Sequence, residues 1–175
     1  NHVELIQQLL PEAKTVAILY STGEENSRIQ AESATAAFEA AGLTAESYTA
    51  NDSNDISSVV TEACTQADVI YVPTDNLMAA NMELVKNVAL NQKGPVVSCF
   101  TADENDGALL SISISYYTMG YRAGEMAYEI LVNGADPASM PIGVMSVEDM
   151  DITINQSVAD ELGITIPESM QQYAK

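Results

Sequence analysis

Three short polar segments hold the side chains of this sequence that are best suited to binding a small charged molecule. They are residues 21–27 (STGEENS), 73–76 (PTDN) and 100–103 (FTAD). The first segment opens a helical pattern, so its backbone amides and the helix dipole, with Asn26 and Ser27, can hold a carboxylate. The carboxylates of Asp75 and Asp103 can hold an ammonium group. Together the segments favour a zwitterion such as an amino acid.

The same side chains also have structural interpretations. Asn26 or Ser27 can cap the N-terminus of a helix, and Asp75 or Asn76 can form a turn. In those roles the polar atoms bond to the chain itself and not to a ligand. Spacing alone leaves both alternatives open.

Composition excludes several other kinds of site. The 175 residues carry 25 Asp and Glu against 6 Lys and Arg, a formal net charge of −19, which repels nucleic acid and anionic membranes. His2 is the only histidine, too little for a hydrolytic triad or a zinc site. The sequence has no GxGxxG or GxxxxGK[ST] phosphate loop. We therefore expect no enzyme activity, no cofactor and no metal. Cys64 and Cys99 are either two buried thiols or a disulfide.

The polar segments follow hydrophobic runs that alternate with helical patterns. Strands are predicted over residues 15–20, 44–49, 68–72 and 95–99, and helices over residues 27–41, 54–64 and 77–90. Short connections between such units favour a doubly wound parallel sheet, an α/β fold. Further strands are predicted over residues 108–114 and 151–155, with helices over residues 2–10, 117–132 and 157–162. Ligands of open α/β sheets bind beyond the carboxyl ends of the strands, which is where the polar segments lie.

Several motifs resemble those of one known family, the substrate-binding proteins of ABC transporters of the type associated with aromatic amino acids, notably tryptophan. The motifs are LLPEAK at residues 9–14, TVAILY at 15–20, Glu24-x-Asn26-Ser27, and DVIYVPTDN at 68–76. Gly107-Ala108-Leu109, Tyr116-Tyr117 and residues 162–167 match further. The resemblance covers essentially the whole chain. The family often has Asp where Ser115 and Thr118 stand, so contacts from that segment are not carried over.

The resemblance implies the type I periplasmic-binding-protein fold, in which a ligand lies between two α/β lobes joined by three crossover strands. It places residues 1–107 and 134–175 in a flavodoxin-like second lobe. Residues 108–133 are then a crossover and return segment belonging to a first lobe, and we expect that lobe and a lipoprotein signal to be missing from this sequence. The apolar faces of 108–133 would lack a partner, so we expect this segment to fold back onto its own lobe or to form a homodimer.

The resemblance also implies the ligand-binding residues and the function. The residues are Ser21, Thr22, Glu24, Asn26, Ser27, Thr74, Asp75, Asn76, Thr101 and Asp103. The implied function is that of an extracytoplasmic solute-binding component of an ABC importer, periplasmic or a cell-surface lipoprotein. It would capture an amino acid and dock with the permease subunits. The alternatives are a ligand-sensing domain of a regulator or receptor with the same fold, and a flavodoxin-like enzyme.

Overall fold

A computed structural model of the chain describes residues 2–100, 107–143 and 149–175. Within these residues one sheet has six strands, in the order β2-β1-β3-β4-β5-β6. Their bounds are β1 (Thr15–Ser21), β2 (Thr44–Ala50), β3 (Val69–Val72), β4 (Val96–Ser98), β5 (Leu110–Ile114) and β6 (Met150–Ile154). The strands from β2 to β5 pair in parallel. The α/β fold predicted from the sequence is confirmed.

Helices connect the strands close to the predicted positions. Their bounds are α1 (His2–Leu9), α2 (Glu25–Ala40), α3 (Ile56–Gln66), α4 (Asn76–Ala80), α5 (Met82–Asn91), α6 (Tyr116–Leu131) and α7 (Gln156–Leu162), with 3-10 turns at Pro137–Ser139 and Glu168–Tyr173. The single helix expected over residues 77–90 is two helices. The side-chain amide of Asn81 donates to the Leu77 carbonyl oxygen at 2.8 Å, and this bond competes with the helical backbone pattern. Among the described helices, none combines the length and apolar composition needed to cross a bilayer.

Both faces of the central strands β1, β3 and β4 are buried, and alternate residues of each strand point to opposite faces. On β1, Val16 and Ile18 belong to a core shared with α1, α2 and α7. Ala17 and Leu19, between them, belong to a second core shared with α3, α4 and α5. The continuous apolar run of β1 is therefore the pattern of a strand covered by helices on both faces.

The sheet is mostly parallel, with one antiparallel strand at its edge. Strand β6 pairs antiparallel with β5, in the register Ile112 to Ile152. The chain leaves β5 at Ser115 and returns to the same place, where the Ser115 amide donates to the carbonyl oxygen of Asp149 at 3.3 Å. A strand that begins at the edge where its neighbour ends must run in the opposite direction.

The segment 108–133 divides into two parts with different surroundings. Strand β5 lies within the sheet of this lobe, and Leu110 and Ile112 are buried in its core. Helix α6 has no buried residue, and Tyr117 and Leu131 are each 83% exposed. Strand β5 thus pairs within the described sheet, whereas α6 has no buried residue. Assignment of α6 to another lobe stays a prediction.

Candidate functional site

The carboxyl ends of β1, β3, β4 and β5 meet at one edge of the sheet, because these parallel strands are neighbours. Ser21 ends β1, and residues 73–76 lead from β3 into α4. Segments 21–27 and 73–76 therefore lie side by side, at the edge where the sequence predicted a site. Thr101 and Asp103, from the third predicted segment, lie outside the described residues.

Asp75 joins the first two segments. Its Oδ2 accepts hydrogen bonds from the Ser21 amide at 2.8 Å and the Ser21 hydroxyl at 2.7 Å, and its Oδ1 accepts one from the Met78 amide at 2.9 Å. Burial raises the pKa of this carboxyl, but the hydrogen bonds from Met78 and Ser21 outweigh burial and hold the pKa below its ordinary value. With 1% of its surface exposed, Asp75 has the helix-capping role that the sequence left open. Ammonium binding by Asp75 stays a prediction.

Glu24 connects the same two segments through a second set of bonds. Its Oε1 accepts from the amides of Asn76 at 2.9 Å and Leu77 at 3.3 Å, and its Oε2 accepts from the Asn76 side-chain amide at 2.8 Å. Carboxylates of Glu24 and Asp75 thus satisfy the first amides of α4, where negative charge is stabilising. A ligand anion must find its donors elsewhere.

The first turns of α2 hold the main chain of Thr74. The Thr74 carbonyl oxygen accepts from the Asn26 side-chain amide at 3.3 Å and the Ser27 hydroxyl at 3.1 Å. The Thr74 amide donates to Oε1 of Gln30 at 3.1 Å. Ser27 is fully buried, so its hydroxyl acts within the fold. Helix α2 itself begins without a side-chain cap.

Thr22, also predicted as a ligand-binding residue, points away from the network around Asp75 and Glu24. Its hydroxyl donates to the side-chain oxygen of Asn51 at 3.0 Å, and its amide donates to the carbonyl oxygen of Ala50 at 3.1 Å. These partners lie at the end of β2, on the far side of β1 from β3. Thr22 therefore helps to join β1 and β2 and is separate from the network around Asp75 and Glu24.

An open groove of about 780 Å³ lies beside this network. Polar groups in its lining include Gln30, Thr74, Asp75, Asn76 and Glu83. Apolar groups in its lining include Phe100, Ile112, Ile114, Tyr116, Met119 and Met150. The lining drawn from the described residues contains no Lys or Arg, and those residues hold no group of three or more His, Cys, Asp or Glu placed for a metal ion. A groove of this composition suits a small molecule with a polar end and an apolar side chain.

A family model described as "ABC transporter substrate binding protein" matches residues 1–175. The chain belongs to this family. A curated member, a tyrosine-binding protein of Clostridioides difficile, is 31% identical over 160 residues, which are 91% of this chain and 46% of that protein. Membership in this family of ABC substrate-binding proteins confirms the resemblance found in the sequence.

Solved structures of ABC substrate-binding proteins have the same fold. An ABC domain from Streptococcus pneumoniae in complex with L-Trp is 40% identical, with a TM-score of 0.81 over 98% of this chain and 57% of that one. The ligand-free, open structure of a substrate-binding protein from Clostridium difficile is 32% identical, with a TM-score of 0.79 over 99% of this chain and 58% of that one. This chain spans about half the length of these family members.

The groove of this ABC substrate-binding protein also contains a chain of hydrogen bonds that the sequence patterns did not predict. The Cys99 thiol donates to the Tyr71 hydroxyl at 3.0 Å, and that hydroxyl lies 2.8 Å from Nδ1 of His2. Burial raises the pKa of the Cys99 thiol to about 12, raises the pKa of Tyr71, and lowers the pKa of His2. All three groups are therefore neutral near pH 7. Cys64 and Cys99 are both free thiols.

The missed residues left different signals in the sequence. Tyr71 stands within a buried strand, and a buried tyrosine needs a partner for its hydroxyl. That partner is remote in sequence, so the pattern could not identify Cys99 or His2. Gln30 was within reach of sequence reasoning, because it stands three residues after Ser27 and four after Asn26, on the same face of α2.

Proposed function

We propose that this chain is the ligand-binding lobe of the solute receptor of an ABC importer, and that it captures an aromatic amino acid. Family membership supports the receptor role. The named tyrosine-binding and L-Trp-bound relatives support the ligand class. The observation that carries the proposal is the groove, whose lining combines polar groups at the end of β3 with isoleucines of β5 and with aromatic and thioether side chains from α6 and the end of β4. Such a lining fits both the headgroup and the ring of the ligand.

In this proposal the predicted site residues divide into two roles. Thr74 and Asn76 are exposed and line the groove, so they meet the ligand. Residues 24–27 form the turn into α2, whose uncapped start favours the ligand carboxylate. Ser21, Glu24, Ser27 and Asp75 position these groups through their bonds between the segments. Thr101 and Asp103 stay predicted contacts from the third segment.

The ligand ammonium group would be held by Glu83. Two carboxylates among the described residues line the groove, those of Asp75 and Glu83. Asp75 already accepts three bonds from the chain. Glu83 is exposed in the first turn of α5, and no hydrogen bond or ion pair within the described residues occupies its oxygens. A carboxylate with free oxygens is the natural partner of an ammonium ion.

The importer role places the protein outside the cytoplasm, where it would deliver its ligand to permease subunits. The net charge of −19 fits a receptor that works in salt, where the Debye length is about 8 Å and self-repulsion is screened. A ligand-sensing role in a receptor would use the same groove.

An NMR titration of the chain tests the proposal. L-tryptophan, L-tyrosine and the sugar ribose are added to the ¹⁵N-labelled chain, to about 10 mM where solubility allows. Concentrations this high detect weak binding with a Kd of ~1 mM, which corresponds to a binding free energy of about −4.1 kcal/mol. We expect saturable shifts with the aromatic amino acids, confined to residues 24–30, 71–83, 99–103 and 110–119, and none with ribose. Shifts with ribose alone, or no response to either amino acid, would refute the ligand class.

A further inference from the structure

Gln30 lies in the second turn of α2 and faces the groove. Its Oε1 accepts a hydrogen bond from the Thr74 amide at 3.1 Å. Only the oxygen of a carboxamide can accept from an N–H group, so the orientation of this side chain is fixed. The two N–H donors of its Nε2 have no partner among the described residues, and the side chain is half-buried at the groove.

The partner of Gln30 is itself held in place. The Thr74 carbonyl oxygen accepts from Asn26 and Ser27, one turn earlier on α2. Both backbone groups of Thr74 are therefore bonded to the same helix, which runs for 16 residues. A donor fixed in this way loses little conformational freedom when a ligand binds, and such preorganisation favours affinity.

The charge of the groove decides which ligand group these donors fit. Asp75 and Glu83 contribute carboxylates, and no Lys or Arg from the described residues lines the groove. A ligand carboxylate therefore needs neutral donors, and its hydrogen bonds to an amide are charge-assisted. We propose that Gln30 is a ligand-contacting residue that recognises the α-carboxylate of the bound amino acid, with the neighbouring Thr74 hydroxyl. This inference rests on the proposed function and adds a residue outside the predicted segments.

The test exchanges the donors of Gln30 for a negative charge. In Gln30→Glu one carboxylate oxygen can still accept from the Thr74 amide, while the other faces the groove as an anion. The chain is titrated with L-tryptophan and with tryptamine, which has the same ring and ammonium group but no carboxylate. We expect Gln30→Glu to weaken L-tryptophan binding about 10- to 100-fold, the size of a lost charge-assisted bond. Binding of tryptamine should be unchanged or tighter.

Gln8→Glu is the matched control, since it makes the same exchange at an exposed position of α1 that does not line the groove. Gln30→Met removes the donors without adding charge, and it replaces Gln30→Glu if thermal unfolding shows that variant to be misfolded. It should weaken L-tryptophan about 10-fold and spare tryptamine.

Three results would overturn the inference, and they are distinguishable. Unchanged L-tryptophan binding in the Gln30 variants removes Gln30 from the contact while the proposed function stands. Equal losses for both ligands show that Gln30 shapes the groove without reading the carboxylate. Failure of the wild-type chain to bind L-tryptophan refutes the proposed function, and the inference with it.

Discussion

Removal of the Asp75 carboxylate tests how segments 21–27 and 73–76 are held together. Asp75 and Asp68 make a matched pair, because each carboxylate accepts hydrogen bonds from three donors of the chain. The donors to Asp75 are the Ser21 amide, the Ser21 hydroxyl and the Met78 amide. The donors to Asp68 are the Lys14 amide, the Thr15 amide and the Thr15 hydroxyl. The difference is burial, since Asp75 is buried and Asp68 is exposed.

The cost of each Ala substitution follows from what happens to the donors. In Asp75→Ala the Met78 amide loses its cap, which costs about 1 kcal/mol. The Ser21 amide is left in a residue that is only 3% exposed, and an unsatisfied buried donor costs about 1–3 kcal/mol. We expect a total of about 2–4 kcal/mol in the free energy of unfolding. In Asp68→Ala water replaces the carboxylate, so the cost should be about 1 kcal/mol.

Urea unfolding followed by circular dichroism measures both variants at pH 7. A third variant, Asp75→Asn, tests how the stability contributed by the Asp75 charge depends on pH. The pKa of Asp75 is lowered in the fold, so its charge stabilises the folded state above the unfolded pKa of about 3.9, and that stability is lost as the pH falls through the folded pKa. The advantage of the wild type over Asp75→Asn should therefore shrink below pH ~4. Equal losses in the free energy of unfolding for Asp68→Ala and Asp75→Ala would show that burial of the donors does not set the cost.

Three other features give testable expectations. Glu83→Gln should weaken tryptophan about 10-fold while leaving 3-indolepropionate, which lacks the ammonium group, unaffected; equal effects would exclude the ion pair. The unfolded state binds a proton at His2 more readily than the folded state, so stability should fall as the pH drops from ~7 to ~5, and a slope that persists in His2→Gln would contradict this. The uncovered face of α6 should give a dimer in light scattering that Leu131→Asp disrupts; a monomeric wild-type chain would rule it out.

Sequence patterns predicted the fold well wherever local signals were strong. The apolar run of β1 predicted a strand buried on both faces. In the structure, helices cover each of the two faces of this strand. Two features depended on tertiary geometry. The Asn81 side chain divides the expected helix by bonding to Leu77, and the antiparallel course of β6 is set by the return of the chain to Ser115. Neither has a local signature.

The position of the candidate site was predictable from the sequence, but the hydrogen-bond partners of its polar atoms were not. Strand ends and polar loops placed Glu24, Thr74 and Asp75 at one edge of the sheet. Whether a carboxylate faces a ligand or caps a helix depends on which amides reach it. The Met78 amide that Asp75 caps is close in sequence, but the Ser21 amide on Asp75 and the Asn76 amide on Glu24 come from the other segment, about fifty residues away. The hydroxyl of Tyr71 similarly finds Cys99 across the sheet. Such pairings arise from strand order, which composition and periodicity do not encode.

The network shows how so acidic a chain could accommodate the carboxylate of the proposed amino acid ligand. Glu24 and Asp75 would repel that group if they faced it, but the amides of α4 and Ser21 already engage their oxygens. Their negative charge is therefore directed at the helix start, where it stabilises the fold. Separate bonds from the first turns of α2 fix Thr74 beside Gln30, so the donors left over are neutral and rigid. In the proposed site the carboxylates of these loops would thus hold the loops together, and the neutral amide of Gln30 beside them would bind the ligand.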